Sequence, residues 1–193
     1  MKFAAVILAG GASRRMGGFP KALLDLGGET FLDKLIGLFA PWCEQTVVVL
    51  GHHAGRIRAG LRRDAEFVVN PDPERGQLTS LQAGFAALRP GVDQVFFTPV
   101  DYPGIRAETV QSVMAAAGDA PVVPEYNGKH GHPVLIPAWM TAEFLELPVT
   151  DSARTVIHRH AARTRYIPVE DPGILLDVDD PEAYRAIVTQ AAL

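Results

Sequence analysis

Residues 10–21 carry four glycines and three cations: Gly10, Gly11, Gly17 and Gly18 beside Arg14, Arg15 and Lys21. Glycine lets the backbone turn sharply and bring its N–H groups close to a ligand. Arginine and lysine supply the positive charge that several anionic oxygens require. Directly before them runs Lys2-Phe3-Ala4-Ala5-Val6-Ile7-Leu8-Ala9, an apolar stretch bounded by glycine. Such a stretch reads as a strand buried on both faces of a parallel sheet. A strand, then bare backbone donors, then cations is an arrangement suited to polyphosphate. It is not a Walker A loop, because Phe19 and Pro20 stand where Gly-Lys-Ser/Thr is needed. Nor can Gly-x-Gly-x-x-Gly be laid on residues 10–18.

Carboxylates provide the second half of the chemistry. Asp101 follows the apolar run 93–98 and is stiffened by Pro99 and Pro103. Held at the carboxyl end of a buried strand, it is a good hard-cation ligand; capping the following helix is the structural alternative. In Asp177-Val178-Asp179 the alternation of a strand puts both acids on one face, so either can complete a metal site with Asp101. Asp180 is expected to cap the last helix. Residues 70–81 form a long loop with two prolines and a glycine, which sets Asn70, Arg75 and Ser80 beyond a strand end, where open sheets bind ligands. His130 and His132 invite a zinc reading, but the single cysteine, Cys43, and the lack of a third nearby ligand argue against it.

The elements that must position these residues follow from periodicity and breakers. Strands are expected over residues 2–9, 22–26, 45–50, 66–69, 93–98, 120–124, 165–169 and around 174–177. A hairpin-like turn over residues 125–136 leads into a further strand. Helices are expected over residues 31–39 with Thr30 as cap, weakly over 53–61, from Thr79 or Ser80 to about 88, and over 107–117 and 138–146. Two more run from an acidic cap at Asp151 to about 162, and from Pro181 to about 191. Strands alternating with helices imply a three-layer α/β/α sandwich with a mostly parallel central sheet, one domain spanning residues 1–193.

The stretch Leu8-Ala9-Gly10-Gly11-Ala12-Ser13-Arg14-Arg15-Met16-Gly17, with Lys21 beyond it, resembles the opening signature of GT-A-like, Rossmann-like nucleotidyltransferases. Within them it resembles most the molybdenum cofactor guanylyl- and cytidylyltransferases. The likeness extends through Asn70-Pro71-Asp72, Asp101-Tyr102-Pro103, Gly131-His132-Pro133, Asp151–Arg154 and Asp177-Val178-Asp179-Asp180-Pro181-Glu182. Thr150 and Ser152 depart from it, standing where the cytidylyl branch has glycines.

The resemblance implies that Leu8, Ala9, Gly10, Gly11, Ser13, Lys21, Asn70 and Ser80 bind the nucleotide. It implies that Arg15, Lys21 and Asp101 are catalytic, and that Asp101 with Asp177 or Asp179 holds Mg2+. His132 and Arg154 would face the acceptor; for His132 a turn residue is the structural alternative. The implied reaction moves a nucleoside monophosphate from CTP or GTP to the phosphate of molybdopterin and releases pyrophosphate. A molybdenum enzyme or its chaperone is the implied further partner. The opening signature has the guanylyl form, whereas the later segments lean to the cytidylyl form and tip the balance to CTP. Rival readings are a same-fold enzyme acting on a sugar phosphate or another small phosphate, and a non-catalytic nucleotide-binding chaperone.

Composition bounds the rest. Hydrophobic residues make up 48% and charged residues 21% of 193 residues, ordinary for a globular chain. A net charge of −4 excludes a general basic surface for nucleic acid. No apolar run reaches the ~18 residues of a membrane span. The N-terminal apolar run is too short for a signal peptide and is followed by Arg14-Arg15. A cytoplasmic setting is expected, with Cys43 a small buried hydrophobe.

Overall fold

The computed structural model describes residues 1–191. Its elements in chain order are β1 (Phe3–Ala9), β2 (Asp25–Leu26), β3 (Glu29–Thr30), α1 (Phe31–Phe39), β4 (Gln45–Leu50), α2 (Ala54–Gly60) and β5 (Glu66–Val69). Then come α3 (Gln77–Ala86), β6 (Gln94–Pro99), α4 (Ala107–Ala115), β7 (Val122–Tyr126), β8 (Lys129–His130) and β9 (Val134–Pro137). The chain goes on through α5 (Thr141–Leu145), α6 (Ala153–Arg159), β10 (Arg165–Pro168) and α7 (Pro181–Ala191). The main sheet runs β10-β7-β9-β6-β1-β4-β5, with β8 beside β7. The pairs β6–β1, β1–β4, β4–β5 and β10–β7 are parallel, whereas β9 runs antiparallel to both β6 and β7. The sheet is therefore mostly parallel, as the sequence pattern requires.

β1 shows why an unbroken apolar run is needed. Alternate side chains face opposite layers: Ala5, Ile7 and Ala9 join one core, while Val6 and Leu8 join the other. α1 covers the first face with Phe31, Leu32, Leu35, Ile36 and Phe39, all within 2% of full burial. Each such side chain contributes roughly 1.5–3 kcal/mol relative to exposure. Thr30 caps α1 as expected, its hydroxyl accepting the Asp33 N–H at 3.0 Å. On the other face α3 lies so close that a Cβ on Gly84 would come within 2.4 Å of Val6 Cγ1.

Several boundaries differ from the sequence reading, each for a local reason. Residues 22–26 are not one strand. Pro20 starts a tight 3-10 turn at Lys21–Leu23, and only Asp25–Leu26 pairs, with Glu29–Thr30, across Gly27 and Gly28 at φ 70° and 88°. α3 begins at Gln77 rather than Thr79 or Ser80, because both hydroxyls accept from the buried Asn70 amide instead of capping the helix. β7 lies two residues beyond the expected strand, ending at the Asn127-Gly128 turn. Residues 138–146 divide into a 3-10 turn at Ala138–Met140 and the short α5. Ser152, not Asp151, precedes α6, which stops at Arg159. Residues 174–177 are not a strand: Asp171 accepts the Gly173 N–H at 2.8 Å and folds Pro172–Leu175 into a 3-10 turn. Asp180 caps α7 as expected, its Oδ1 accepting the N–H groups of Glu182 and Ala183.

Candidate active site

β1, β5 and β6 end on the same side of the sheet. There the loop after β1 meets Asp101, which follows β6. The glycine loop folds on itself. Ser13 sits in the left-handed region at φ 51°; its carbonyl accepts the Met16 and Gly18 N–H groups, and its hydroxyl accepts the Lys21 N–H at 3.1 Å. This last bond fixes where Lys21 leaves the loop. Lys21 Nζ then donates to Asp101 Oδ2 at 2.9 Å and to Asp179 Oδ1 at 2.5 Å. Arg15 donates to the other oxygen of Asp179 at 2.7 Å. Arg14 turns away to Glu74, which also faces His52.

The closing segment reaches the site through one backbone bond, from the Val178 N–H to the Asp101 carbonyl at 2.9 Å. Val178 is buried, so its neighbours Asp177 and Asp179 face the other way, as alternation requires, although no strand forms. Oxygens of Asp101, Asp177 and Asp179 lie within 4.8 Å of one another. Among the described residues this is the one group of three potential metal ligands, and neither His130 nor His132 belongs to it. The donor set fits a hard divalent cation, being all carboxylate, and the buried Asp101 Oδ1 has no hydrogen-bond partner.

Electrostatics follow from this crowding. Burial pushes the Asp177 carboxyl up to about 6, and the charges of Asp101 and Asp179 add to the effect. The Lys21 hydrogen bond holds Asp179 below the usual carboxylate range. Burial works against the Lys21 charge, but Asp101 and Asp179 outweigh it and hold the ammonium above its ordinary value. Burial takes the His132 imidazole down to about 4 against the pull of Asp101, so the ring is neutral at pH 7. Burial likewise pushes Cys43 up to about 12, which keeps it an inert thiol.

Two cavities meet at Asp101. The first, about 190 Å³, is lined by Leu8, Ala9, Gly10, Gly11, Ser13, Lys21 and Ser80. Asn70 stands behind this wall, its amide bonded to Thr79 and Ser80, and so holds the lining in place. The second, about 690 Å³, takes in His132, Arg154 and Asp177. Both share Leu8, Gln77, Pro99 and Asp101. Sequence reasoning assigned no role to Gln77 or Tyr102. Tyr102 packs its ring 4.6 Å from that of His132, and burial followed by the nearby carboxylates pushes its hydroxyl up to about 12. Its place directly after Asp101 was the available signal.

A glycine hook bearing cations, set against three carboxylates beyond the strand ends of a mostly parallel sheet, defines a nucleotidyltransferase-class α/β domain. Residues 5–164 match the family described as the MobA-like NTP transferase domain, and the chain belongs to that family. It is 25% identical over 181 residues to the molybdenum cofactor cytidylyltransferase of Escherichia coli (strain K12), covering 93% of this chain and 92% of the relative. It is 31% identical over 173 residues to the molybdenum cofactor guanylyltransferase of Sinorhizobium fredii (strain NBRC 101917 / NGR234), covering 86% and 78%. The crystal structure of Rv0371c from Mycobacterium tuberculosis H37Rv superposes with a TM-score of 0.87 at 27% identity, covering 98% of each chain. A manganese complex of Rv0371c gives 0.82 at 24%, covering 98% of this chain and 99% of that one. No helix among the described residues is long and apolar enough to cross a membrane.

Proposed function

We propose that the chain is a single nucleotidyltransferase domain that moves a nucleoside monophosphate from CTP or GTP to the phosphate of molybdopterin and releases pyrophosphate. The observation that carries this reading is the meeting of Lys21, Asp101 and Asp179 within hydrogen-bond distance, between a glycine-walled cavity and a larger one. The triphosphate lies in the first cavity, along residues 8–11, Ser13 and Ser80. The acceptor lies in the second, against His132 and Arg154, with its phosphate at the junction. Lys21 and Arg15 face the charge that accumulates on the leaving pyrophosphate. Asp101, with Asp177 and Asp179, would hold Mg2+, which when bound neutralises and polarises phosphate oxygens. An acceptor phosphate is already ionised at neutral pH, so no histidine base is required, and burial, which takes His132 down to about 4, leaves it too weak a base to serve as one. The setting is the cytoplasm, and a molybdenum enzyme or its chaperone receives the product.

The test is direct. Purified chain is mixed with molybdopterin, Mg2+ and each of the four nucleoside triphosphates in turn, and products are weighed by mass spectrometry. A molybdopterin dinucleotide with CTP or GTP is expected, CTP being favoured. Absence of any dinucleotide, or a nucleotide sugar from a sugar phosphate instead, would refute the acceptor.

The acidic cluster carries a pH signature. Asp177 titrates near 6 in the fold, above its value of about 3.9 in an unfolded chain. It therefore contributes stability below about pH 4 that is lost as the pH rises through 6. A cation reverses this sense, because it binds the ionised carboxylate. Added Mn2+ or Mg2+ should raise Tm clearly at about pH 7.5 and far less at about pH 5, where Asp177 is protonated. Equal shifts at the two pH values would remove Asp177 from the site.

A further inference from the structure

We propose that Lys21 and Arg15 hold the acidic site closed on itself, so that a divalent cation entering it displaces them and thereby frees both for the triphosphate. The inference rests on the nucleotidyltransferase reading and adds a coupling between its two ligands. Asp101 and Asp179 offer four carboxylate oxygens. Lys21 occupies one on each acid, at 2.9 and 2.5 Å, and Arg15 a third at 2.7 Å. The fourth, Asp101 Oδ1, is sealed from solvent without a partner. The Lys21 side chain is only 13% exposed, so its ammonium is wedged among the carboxylates rather than resting over them.

An ammonium in contact with two of three clustered carboxylates stands where a divalent cation must sit. The two positive charges repel at that separation, and one must give way. With all three acids ionised, the cluster with Lys21 and Arg15 is one charge negative and repels a triphosphate. A dication makes it one charge positive. Both cationic side chains then lose their carboxylate partners and face the glycine-walled cavity, which Lys21 already lines. Coupling is reciprocal: a triphosphate that draws Lys21 away raises affinity for the cation by the same factor. Cation and triphosphate therefore bind cooperatively.

The measurement is Mn2+ affinity by calorimetry without nucleotide, then with inorganic tripolyphosphate as the probe. Lys21→Met is expected to bind Mn2+ at least about 5-fold tighter than the native chain, the low end of typical coupling, although it loses activity. Tripolyphosphate should tighten Mn2+ binding to the native chain and do so much less in Lys21→Met. Arg15 is largely exposed, so Arg15→Gln tests the same competition without disturbing the interior; a smaller gain in Mn2+ affinity is expected. Unchanged or weaker Mn2+ binding in both variants overturns the proposal. These titrations involve no acceptor and no turnover, so they stand or fall separately from the dinucleotide assay.

Discussion

Replacing Asp101 by asparagine is expected to lower kcat/KM by at least about 10³-fold, roughly 4 kcal/mol of transition-state stabilisation, while leaving the fold intact. The loss is large because Asp101 is the one side chain common to both cavities, the candidate cation-binding group and the Lys21 contact. The fold survives because the structural bond at this position uses the backbone: the Val178 N–H donates to the Asp101 carbonyl, which asparagine keeps. Removing one of three crowded carboxylates also relieves the repulsion that adds to burial in raising the Asp177 carboxyl. Tm of the cation-free variant should therefore stay close to that of the native chain, this gain offsetting the lost ion pair between Asp101 and the mostly buried Lys21. Steady-state kinetics with the preferred triphosphate, alongside thermal unfolding, give both numbers. A variant that keeps kcat/KM within about tenfold would remove this carboxylate from the catalytic machinery, whereas no turnover even in the native chain would favour a non-catalytic nucleotide-binding chaperone.

The parts of the site that lie at the ends of buried strands were legible from the sequence. β1 had to be apolar throughout because both its faces are covered, so the glycines and cations after it stood out. Asp101 was legible for the same reason, as the first acid after an apolar run. The convergence of Asp177 and Asp179 was anticipated by alternation, but the strand invoked for it does not exist. Asp171 bonds Thr109 and the Arg106 N–H across more than 60 residues of sequence while folding the next residues into a 3-10 turn. No local period records such a contact. The antiparallel insertion of β9 between β6 and β7 was equally hidden, since a short apolar run does not declare its direction. Asn70 was read as a ligand contact because it ends a strand, yet its amide supports Thr79 and Ser80 from within.

Gly131 shows how tightly the acidic segment is held, and Gly131→Ala should both destabilise the protein and disperse the carboxylates. A Cβ at Gly131 would stand 2.2 Å from the Ile174 carbonyl oxygen and 2.8 Å from its carbon. These are backbone atoms of the Pro172–Leu175 turn, so no side-chain rotation relieves the clash. The turn cannot simply retreat. On its far side Gly173 packs so closely that its own Cβ would meet the Gly104 carbonyl at 2.0 Å. The His132 N–H, which donates to the Ile174 carbonyl at 3.1 Å, ties it on the near side. A displaced turn carries Asp177 and Asp179 with it, and a constellation of this kind tolerates only about 0.5 Å of misplacement. Overpacking of this sort costs about 1–3 kcal/mol. Denaturant midpoints should fall accordingly, and the rise in Tm on adding Mn2+ should shrink in the same variant. A native midpoint with an undiminished Mn2+ shift would show that the turn yields freely, and that the acids are placed by Val178 and Asp101 alone.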